Sequence, residues 1–387
     1  LSVNREAIKF YSTQLLDRLD EELVLKALNS QFLSRGPLIK KFEVNIGKRI
    51  NNENILTTNS ATSALQLAYQ ILGVKKGSLI WTSPITFVAT ANAARHLGAK
   101  VDFVDIDPET INLCPLSLKE KLEKCRNSNE VPDVLTLVHF AGSPCELQAI
   151  KNLSRKYNFK IIEDASHALG ATYKKRPIGE NIFSDASIFS FHPVKMITTG
   201  EGGALALNSP SSLRKALSLR SHGIETSKKL DTPDWYYEQT DIGYNFRISE
   251  IQAALGISQL TKLSKFINVR NKLAKLYKKL LGNVPLKFQK VLPECRSSYH
   301  LFTIEINDES FKRDDLYKFL KENKIGCQVH YIPVHLQPYY RKFGFSKGMF
   351  FNAEKYFKNC LSIPLHQGLR IEDVEFIAKK LKDLFNR

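Results

Sequence analysis

Two hydrophobic periods alternate along the first two-thirds of the chain. Short apolar runs, which are typical of buried strands, are separated by longer segments in which apolar residues recur every three or four positions, as in helices that face a core. The strand-like runs are 54–58, 79–82, 101–104, 134–139, 160–163, 187–191 and 204–207, and the clearest helical segments are 16–28, 61–72 and 87–97. This alternation predicts an α/β fold, with a mostly parallel sheet between two layers of helices.

The pattern changes near residue 250. A long amphipathic stretch, 248–280, predicts one or two helices that connect two domains. Beyond it, the strand-like runs are 301–306 and 327–331, and the helical segments are 311–323 and 371–385. We therefore expect a large α/β domain over residues 1–250, followed over 251–387 by a bridging helix and a small α+β domain.

Composition narrows the class of protein. The 387 residues are 43% hydrophobic and 25% charged, as in globular proteins, and no run of about twenty apolar residues could form a membrane span. The first five residues lack the apolar core of a signal peptide. The six cysteines are scattered without a C-x-x-C pair, so we expect reduced thiols, no metal site and a cytoplasmic protein.

The formal net charge of +17 permits three interpretations. A lysine-rich solvated surface is the simplest of them, and a positive field would also attract an anionic cofactor and a nucleotide-sugar. Binding to nucleic acid is the third, but the basic residues are spread along the chain with only short clusters such as 174–176. We therefore expect small-molecule ligands, and neither nucleic acid nor a membrane as a partner.

The most informative chemistry lies between residues 161 and 204. Asp164 ends an apolar strand, and Lys195 follows a second strand and precedes the glycine-rich turn 200–203. A lysine that forms an imine and a carboxylate that keeps a ring nitrogen protonated are the two groups that pyridoxal phosphate (PLP) requires. Lys195 would also move the proton between the cofactor and the substrate. The alternatives are a solvated surface lysine and a helix N-cap for Asp164.

Other residues near the predicted strand ends complete a candidate cofactor site. Ligands of such sheets bind at the carboxyl ends of strands, where hydroxyls and free backbone N–H groups at a helix N-terminus can hold a phosphate. We expect Ser60, Ala61, Thr62 and Ser190 to bind the phosphate, Phe87 to stack on the ring, and His167 to contact the ring edge. Taken singly, these residues fit helix caps, core aromatics or a structural histidine equally well.

A second segment, Gly243-Tyr244-Asn245-Phe246-Arg247, immediately precedes the long predicted helix. Asn245 and Arg247 are suitable ligands for a phosphate or a substrate, although either could cap the turn. His192, His330 and Tyr331 are further candidates for substrate contacts.

Together these segments resemble the DegT/DnrJ/EryC1/StrS family of sugar aminotransferases, a branch of the fold-type I PLP enzymes. The family's S-F-H-x-x-K run matches 190–195, its E-D-A-x-H/Q-A-x-G-A run matches 163–171, and its G-Y-N-F/Y-R run matches 243–247. The resemblance covers nearly the whole chain and implies PLP on Lys195, with Asp164 at the ring nitrogen. It also implies that Asn245 reaches the cofactor phosphate of a neighbouring subunit, in a homodimer with shared active sites.

The segments 59–65, 220–224, 328–331 and 361–366 carry a finer similarity. They resemble the members of this family that transfer the amino group of L-glutamate to C4 of a UDP-4-keto-6-deoxy-N-acetylhexosamine (UDP-4-keto-6-deoxy-L-AltNAc) in pseudaminic acid biosynthesis. We expect this reaction here. The alternatives are another nucleotide-linked 3- or 4-keto sugar, a dehydratase of the same family, in which histidine replaces the lysine, or a non-catalytic regulator or nucleic-acid-binding protein. The presence of Lys195 disfavours the dehydratase.

Overall fold

The computed structural model describes residues 9–125, 130–225 and 233–386; the N-terminal stretch considered for a signal peptide lies outside them. The α-helices in these parts are α1 (Arg18–Leu28), α2 (Pro37–Ile50), α3 (Ala61–Ile71), α4 (Ala89–His96), α5 (Pro115–Lys124), α6 (Leu147–Tyr157), α7 (Pro210–Arg220), α8 (Glu250–Leu280), α9 (Arg313–Glu322), α10 (Pro338–Arg341), α11 (Phe351–Asn359) and α12 (Ile371–Phe385). Short 3₁₀ turns cover Phe140–Gly142 and Val334–Leu336.

The strands of the large sheet are β1 (Ile55–Thr58), β2 (Leu79–Thr82), β3 (Lys100–Phe103), β4 (Val134–Val138), β5 (Lys160–Asp164), β8 (Ala186–Ser190) and β9 (Gly203–Leu207). The remaining strands are β6 (Thr172–Tyr173), β7 (Arg176–Pro177), β10 (Ile224–Glu225), β11 (Glu238–Gln239), β12 (Leu286–Phe288), β13 (Cys295–Arg296), β14 (Phe302–Ile306) and β15 (Cys360–Ile363).

The large sheet has seven strands in the order β1-β9-β8-β5-β4-β2-β3. Strands β3, β2, β4, β5 and β8 pair in parallel, whereas β9 is antiparallel to both of its neighbours, β1 and β8. Strands β1, β4 and β9 are buried along their whole length, as expected for a sheet that is covered on both faces. The predicted α/β class and mostly parallel sheet are confirmed.

Capping side chains fix the start of the helices nearest the sheet edge. Ser60 caps α3 by accepting a hydrogen bond from the backbone N–H of Ser63, at 3.1 Å. Ser249 caps α8 in a capping box with Gln252. The buried carboxylate of Glu250 accepts hydrogen bonds from the first backbone N–H groups of α2, and therefore ties the start of α8 to α2.

The C-terminal third has a hydrophobic cluster of its own. Strands β12, β14 and β15 form an antiparallel sheet, against which the second half of α8 and helices α9 and α12 pack. This separate core is the physical basis on which we propose a second domain after residue 250.

The predicted strand at 327–331 is wrong. Within that segment only Gln328 makes a ladder contact, an isolated bridge to Ser362 of β15. The next residues leave the sheet and line a cavity at the edge of the large domain, so their apolar pattern reflects burial around that cavity. In the three described ranges, no helix is both long enough and apolar enough to cross a membrane.

Candidate active site

A cavity of about 950 Å³ opens at the edge of the large sheet where the parallel strands end. Most of the residues predicted from the sequence line it: Ser60, Ala61, Thr62, Phe87, Asp164, His167, Ser190, His192, Lys195, His330 and Tyr331. They come from loops that are far apart in sequence, and the strand order of the sheet brings these loops together.

Asp164 is the last residue of β5 and its carboxylate is fixed from two sides. Oδ2 accepts a hydrogen bond from the Thr90 hydroxyl at 2.7 Å, and Oδ1 accepts one from the backbone N–H of Ser166 at 3.1 Å. No helix begins at this residue, so the alternative role as an N-cap does not apply. The carboxylate is 5% exposed and lines the cavity, where it can accept a hydrogen bond from a protonated ligand nitrogen.

Lys195 lies in the turn between β8 and β9. Its backbone N–H donates to the carbonyl of His192 at 2.9 Å, which closes the turn and directs the side chain to the cavity. Burial lowers the pKa of Lys195 to about 8, and the negative charge of Asp164 partly opposes that shift. A substantial fraction of the amine is therefore neutral near physiological pH, as a nucleophilic lysine requires.

The start of α3 and the end of β8 form one wall of the cavity. As residues of the first helical turn, Ala61 and Thr62 have backbone N–H groups without intrahelical acceptors. The hydroxyl of Ser190 lies on the same cavity wall, and the N-terminal end of the helix dipole favours negative charge. This arrangement suits a phosphate group.

Aromatic side chains also line the cavity. The ring of Phe87 is 59% exposed, which rules out the core role considered for it, and it lies 6.2 Å from the ring of Tyr331. The Tyr331 hydroxyl is 3.2 Å from Nε2 of His167. Burial, together with the charge of Lys195, lowers the pKa of His167 well below its ordinary value, so His167 is neutral.

His300 and Thr90 reach this site without a sequence signal that predicted them. The ring of His300 packs 4.3 Å from that of His167, and burial and neighbouring positive groups lower its pKa strongly as well. His300 belongs to the C-terminal third, in a loop without a recognisable motif. The only hint for Thr90 was its position three residues after Phe87.

Asn245 and Arg247 do not line the cavity of their own chain. Asn245 is exposed and makes an isolated bridge to Ser221. In the described residues Nη1 of Arg247 is buried without a hydrogen-bond partner, and burial together with the charges of Arg35 and Arg220 lowers the pKa of its guanidinium. A buried guanidinium nitrogen without a partner among the described residues, close to two other arginines, favours an anionic ligand at this position.

No group of three or more metal-ligating side chains is arranged around a common point in the described part of the chain.

Known proteins with a similar sequence or fold are sugar aminotransferases and polysaccharide biosynthesis proteins. The model of the DegT/DnrJ/EryC1/StrS aminotransferase family matches residues 14–382. The chain is 38% identical over 379 residues to the UDP-4-amino-4,6-dideoxy-N-acetyl-beta-L-altrosamine transaminase of Campylobacter jejuni, covering 97% of both proteins. It is 34% identical to the spore coat polysaccharide biosynthesis protein SpsC of Bacillus subtilis, covering 97% of this chain and 96% of SpsC.

Among solved structures, the Helicobacter pylori aminotransferase PseC, described as involved in the biosynthesis of pseudoaminic acid, superposes with a TM-score of 0.90 at 33% identity. The superposition covers 98% of this chain and 99% of PseC. The predicted fold, a large α/β domain of the kind found in sugar aminotransferases, is therefore confirmed over almost the whole chain.

The lowered pKa of Lys195 predicts a distinct pH dependence for its chemical modification. In protein without added cofactor, labelling of Lys195 by an amine-reactive reagent should rise with an apparent pKa of about 8, well below the ~10.4 of an unperturbed lysine side chain in a model peptide. Replacing Asp164 by asparagine removes the charge that stabilises the ammonium, so the apparent pKa of Lys195 should fall further. Peptide mass spectrometry across a pH series would measure both. An apparent pKa at Lys195 equal to that of an unperturbed lysine, ~10.4, would contradict this description of the site.

Proposed function

Because this chain belongs to the DegT/DnrJ/EryC1/StrS aminotransferase family, we propose that it is a PLP-dependent nucleotide-sugar aminotransferase. Its proposed reaction moves the amino group of L-glutamate to C4 of a UDP-4-keto-6-deoxy-N-acetylhexosamine, the 4-keto-6-deoxy-L-AltNAc sugar, in pseudaminic acid biosynthesis. The 38% identity to a protein named as an altrosamine transaminase, over nearly the full length of both chains, supports this substrate. The observation that carries the proposal is that Lys195 and Asp164 line one cavity beside the N-terminus of α3.

The residues of the cavity fit PLP. Lys195 would hold the cofactor covalently, Asp164 would accept a hydrogen bond from its ring nitrogen, and the first turn of α3 with Ser190 would hold its phosphate. Phe87 would cover one ring face, and the neutral His167 would contact the ring. Nδ1 of His167 is buried without a partner in the described residues, as expected for a side chain that awaits a ligand.

When bound, the cofactor supplies an electron-accepting ring and the carbon that carries the amino group between donor and acceptor. The negative charge of Asp164 would keep the ring nitrogen protonated, and the Thr90 hydroxyl and the Ser166 N–H hold its carboxylate in place. Because its pKa is lowered to about 8, the Lys195 amine, when it is not bound to the cofactor, could take a proton from the amino donor and return one to the sugar carbon. We propose His192, Arg247, His330 and Tyr331 as substrate contacts.

Replacing Lys195 by arginine should abolish transamination. The guanidinium keeps the positive charge but can neither form the covalent link nor act as a base, so we expect a loss of about a thousandfold or more in kcat. Release of 2-oxoglutarate from L-glutamate in the presence of the keto sugar measures the rate. The exposed residue Lys175 provides the matched control, since Lys175→Arg should leave the rate unchanged. Full activity of the Lys195→Arg protein would refute the mechanism.

A panel of keto sugars separates the proposed substrate from its alternatives. The UDP-4-keto sugar should give the highest kcat/KM, compared with dTDP- and GDP-linked 4-keto sugars and with 3-keto sugars. A clear preference for one of the other sugars would leave the transaminase mechanism intact and change the substrate.

Exposed apolar side chains support a homodimer. Leu25 and Phe32, in and just after α1, are 57% and 51% exposed, and Trp235 and Ile242, in the loop before Asn245, are 76% and 81% exposed. Large apolar side chains in such number favour a surface that is covered in an assembly. A second copy of the chain would cover them and would bring Asn245 to the cavity of its partner, which explains why Asn245 does not line its own cavity.

Shared active sites predict complementation between two inactive variants. Lys195→Ala and Asn245→Ala should each lose most of the activity as pure proteins. In dimers formed randomly from equal amounts, half are mixed and each mixed dimer has one intact site, so about a quarter of the wild-type activity should return. Steady-state rates before and after unfolding and refolding the mixture would measure this. If no activity returns although mixed dimers form, Asn245 does not act across the interface.

A further inference from the structure

The positive charge of the chain is concentrated in its last third. Residues 251–387 contain 25 Lys and Arg against 12 Asp and Glu, so they carry thirteen of the seventeen net charges. A charge excess of this size on one part of a protein attracts anions to that part. In the structure, three of these lysines line a single groove.

A groove of about 730 Å³ lies along α8, and none of its lining residues belongs to the lining of the catalytic cavity. It is lined by Asn268, Asn271, Lys272, Lys275, Lys278 and Tyr299. The five residues of α8 follow helical spacing and form a single polar stripe. Arg296 extends this cationic surface, because its Nη2 donates to Oδ1 of Asn268 at 2.6 Å.

In the described part of the chain the lysines of this groove have no carboxylate partner, although the Lys278 ammonium donates to the carbonyl of Gln289 at 3.3 Å. Among the described residues no carboxylate lies within 4.0 Å of the ammonium of Lys272, Lys275 or Lys278. Lys278 is half-buried above the ring of Tyr299, at 5.9 Å from the ring centre, and burial lowers its pKa. Three neighbouring like charges, one of them partly desolvated, repel one another, and a bound anion would relieve that repulsion.

Tyr299 lines this groove, whereas its two neighbours in the sequence, Ser298 and His300, contact the catalytic cavity. Its φ of 50° lies in the left-handed region, which a tyrosine rarely adopts. This conformation directs Tyr299 to the groove while its neighbours contact the site: the hydroxyl of Ser298 donates to the carbonyl of His167 at 2.7 Å, and the ring of His300 packs 4.3 Å from that of His167.

Helix α8 holds the same segment through its buried side. Nη1 of Arg270, which is fully buried, donates to the carbonyls of Tyr299 and His300 at 3.2 and 3.0 Å. Asn271, which lines the groove, donates from Nδ2 to the carbonyl of Ser297 at 3.0 Å. Direct contacts therefore join the groove to His300 and His167.

We propose that this groove, which we call the α8 groove, binds an anion with two or more phosphate groups, such as a nucleoside diphosphate or an inorganic polyphosphate, and that its occupancy orders the Ser297–His300 segment beside the catalytic cavity. Lys272, Lys275 and Lys278 are spread over about 9 Å of helix length, a spacing that suits an anion with charge on more than one group. Binding in the α8 groove does not depend on the proposed transaminase activity, whereas any effect on turnover rests on it.

Calorimetric titration of the full chain with tripolyphosphate, UDP and inorganic phosphate tests the binding. The wild type and Lys279→Glu, an exposed lysine of α8 outside the groove, should bind tripolyphosphate at least about tenfold more tightly than the double variant Lys272→Glu/Lys275→Glu. In the part of the binding that the double variant loses, tighter binding of UDP than of tripolyphosphate would identify a nucleotide as the source of the phosphates, and the reverse would identify a polyphosphate. Equal affinity in all three proteins, or inorganic phosphate binding as tightly as tripolyphosphate, would overturn the proposal.

Hydrogen–deuterium exchange tests the connection to the catalytic cavity and requires no enzyme activity. Saturating tripolyphosphate should slow exchange at 297–300 and at 165–168 in the wild type and in Lys279→Glu, but not in the double variant. Binding without slower exchange in these segments would refute the connection. If the protein binds tripolyphosphate and shows slower exchange but aminates no keto sugar, only the proposed function is refuted. Failure of the groove proposal and failure of the proposed function are therefore distinguishable.

Discussion

The close approach of three strand ends is the constraint on which the candidate site depends. Because β9 runs antiparallel to its neighbours, its first residue, Gly203, pairs with both Thr58 at the end of β1 and Ser190 at the end of β8. A Cβ atom at Gly203 would lie 2.6 Å from the backbone N of Ala61. The absence of a side chain therefore allows the start of α3 and the end of β8 to form one wall, and without that contact the cavity would have no site for a phosphate.

Burial at this edge of the sheet determines the protonation of the side chains that line the cavity. Burial away from water lowers the pKa of the Lys195 amine. It also lowers the pKa values of His167 and His300, so that both imidazoles are uncharged. Asp164 provides a negative charge nearby, held by two hydrogen bonds, and this charge partly opposes the lowering of the Lys195 pKa. The cavity therefore combines a nucleophile, an acceptor and neutral rings, and the side chains that maintain this balance belong to both the large sheet and the C-terminal third.

Short local patterns were sufficient to predict the parts of the site that follow strands in sequence. Asp164, Ser190 and Lys195 were predicted because each lies next to an apolar run, and the structure brings them to one cavity. His300 could not be predicted, because its contact with His167 spans more than 130 residues and depends on the packing of two cores. The strand predicted at 327–331 failed for a related reason, since residues that line a cavity are as apolar as residues within a sheet.

The most direct measurement is the absorption spectrum of the purified protein after incubation with pyridoxal phosphate, before and after addition of L-glutamate. We expect a band at the edge of the visible range that requires the Lys195 amine and disappears when glutamate donates its amino group. The keto sugar should restore it. If the protein acquires no such band, or if the band does not respond to glutamate, Lys195 does not hold the cofactor and the site is not that of a transaminase.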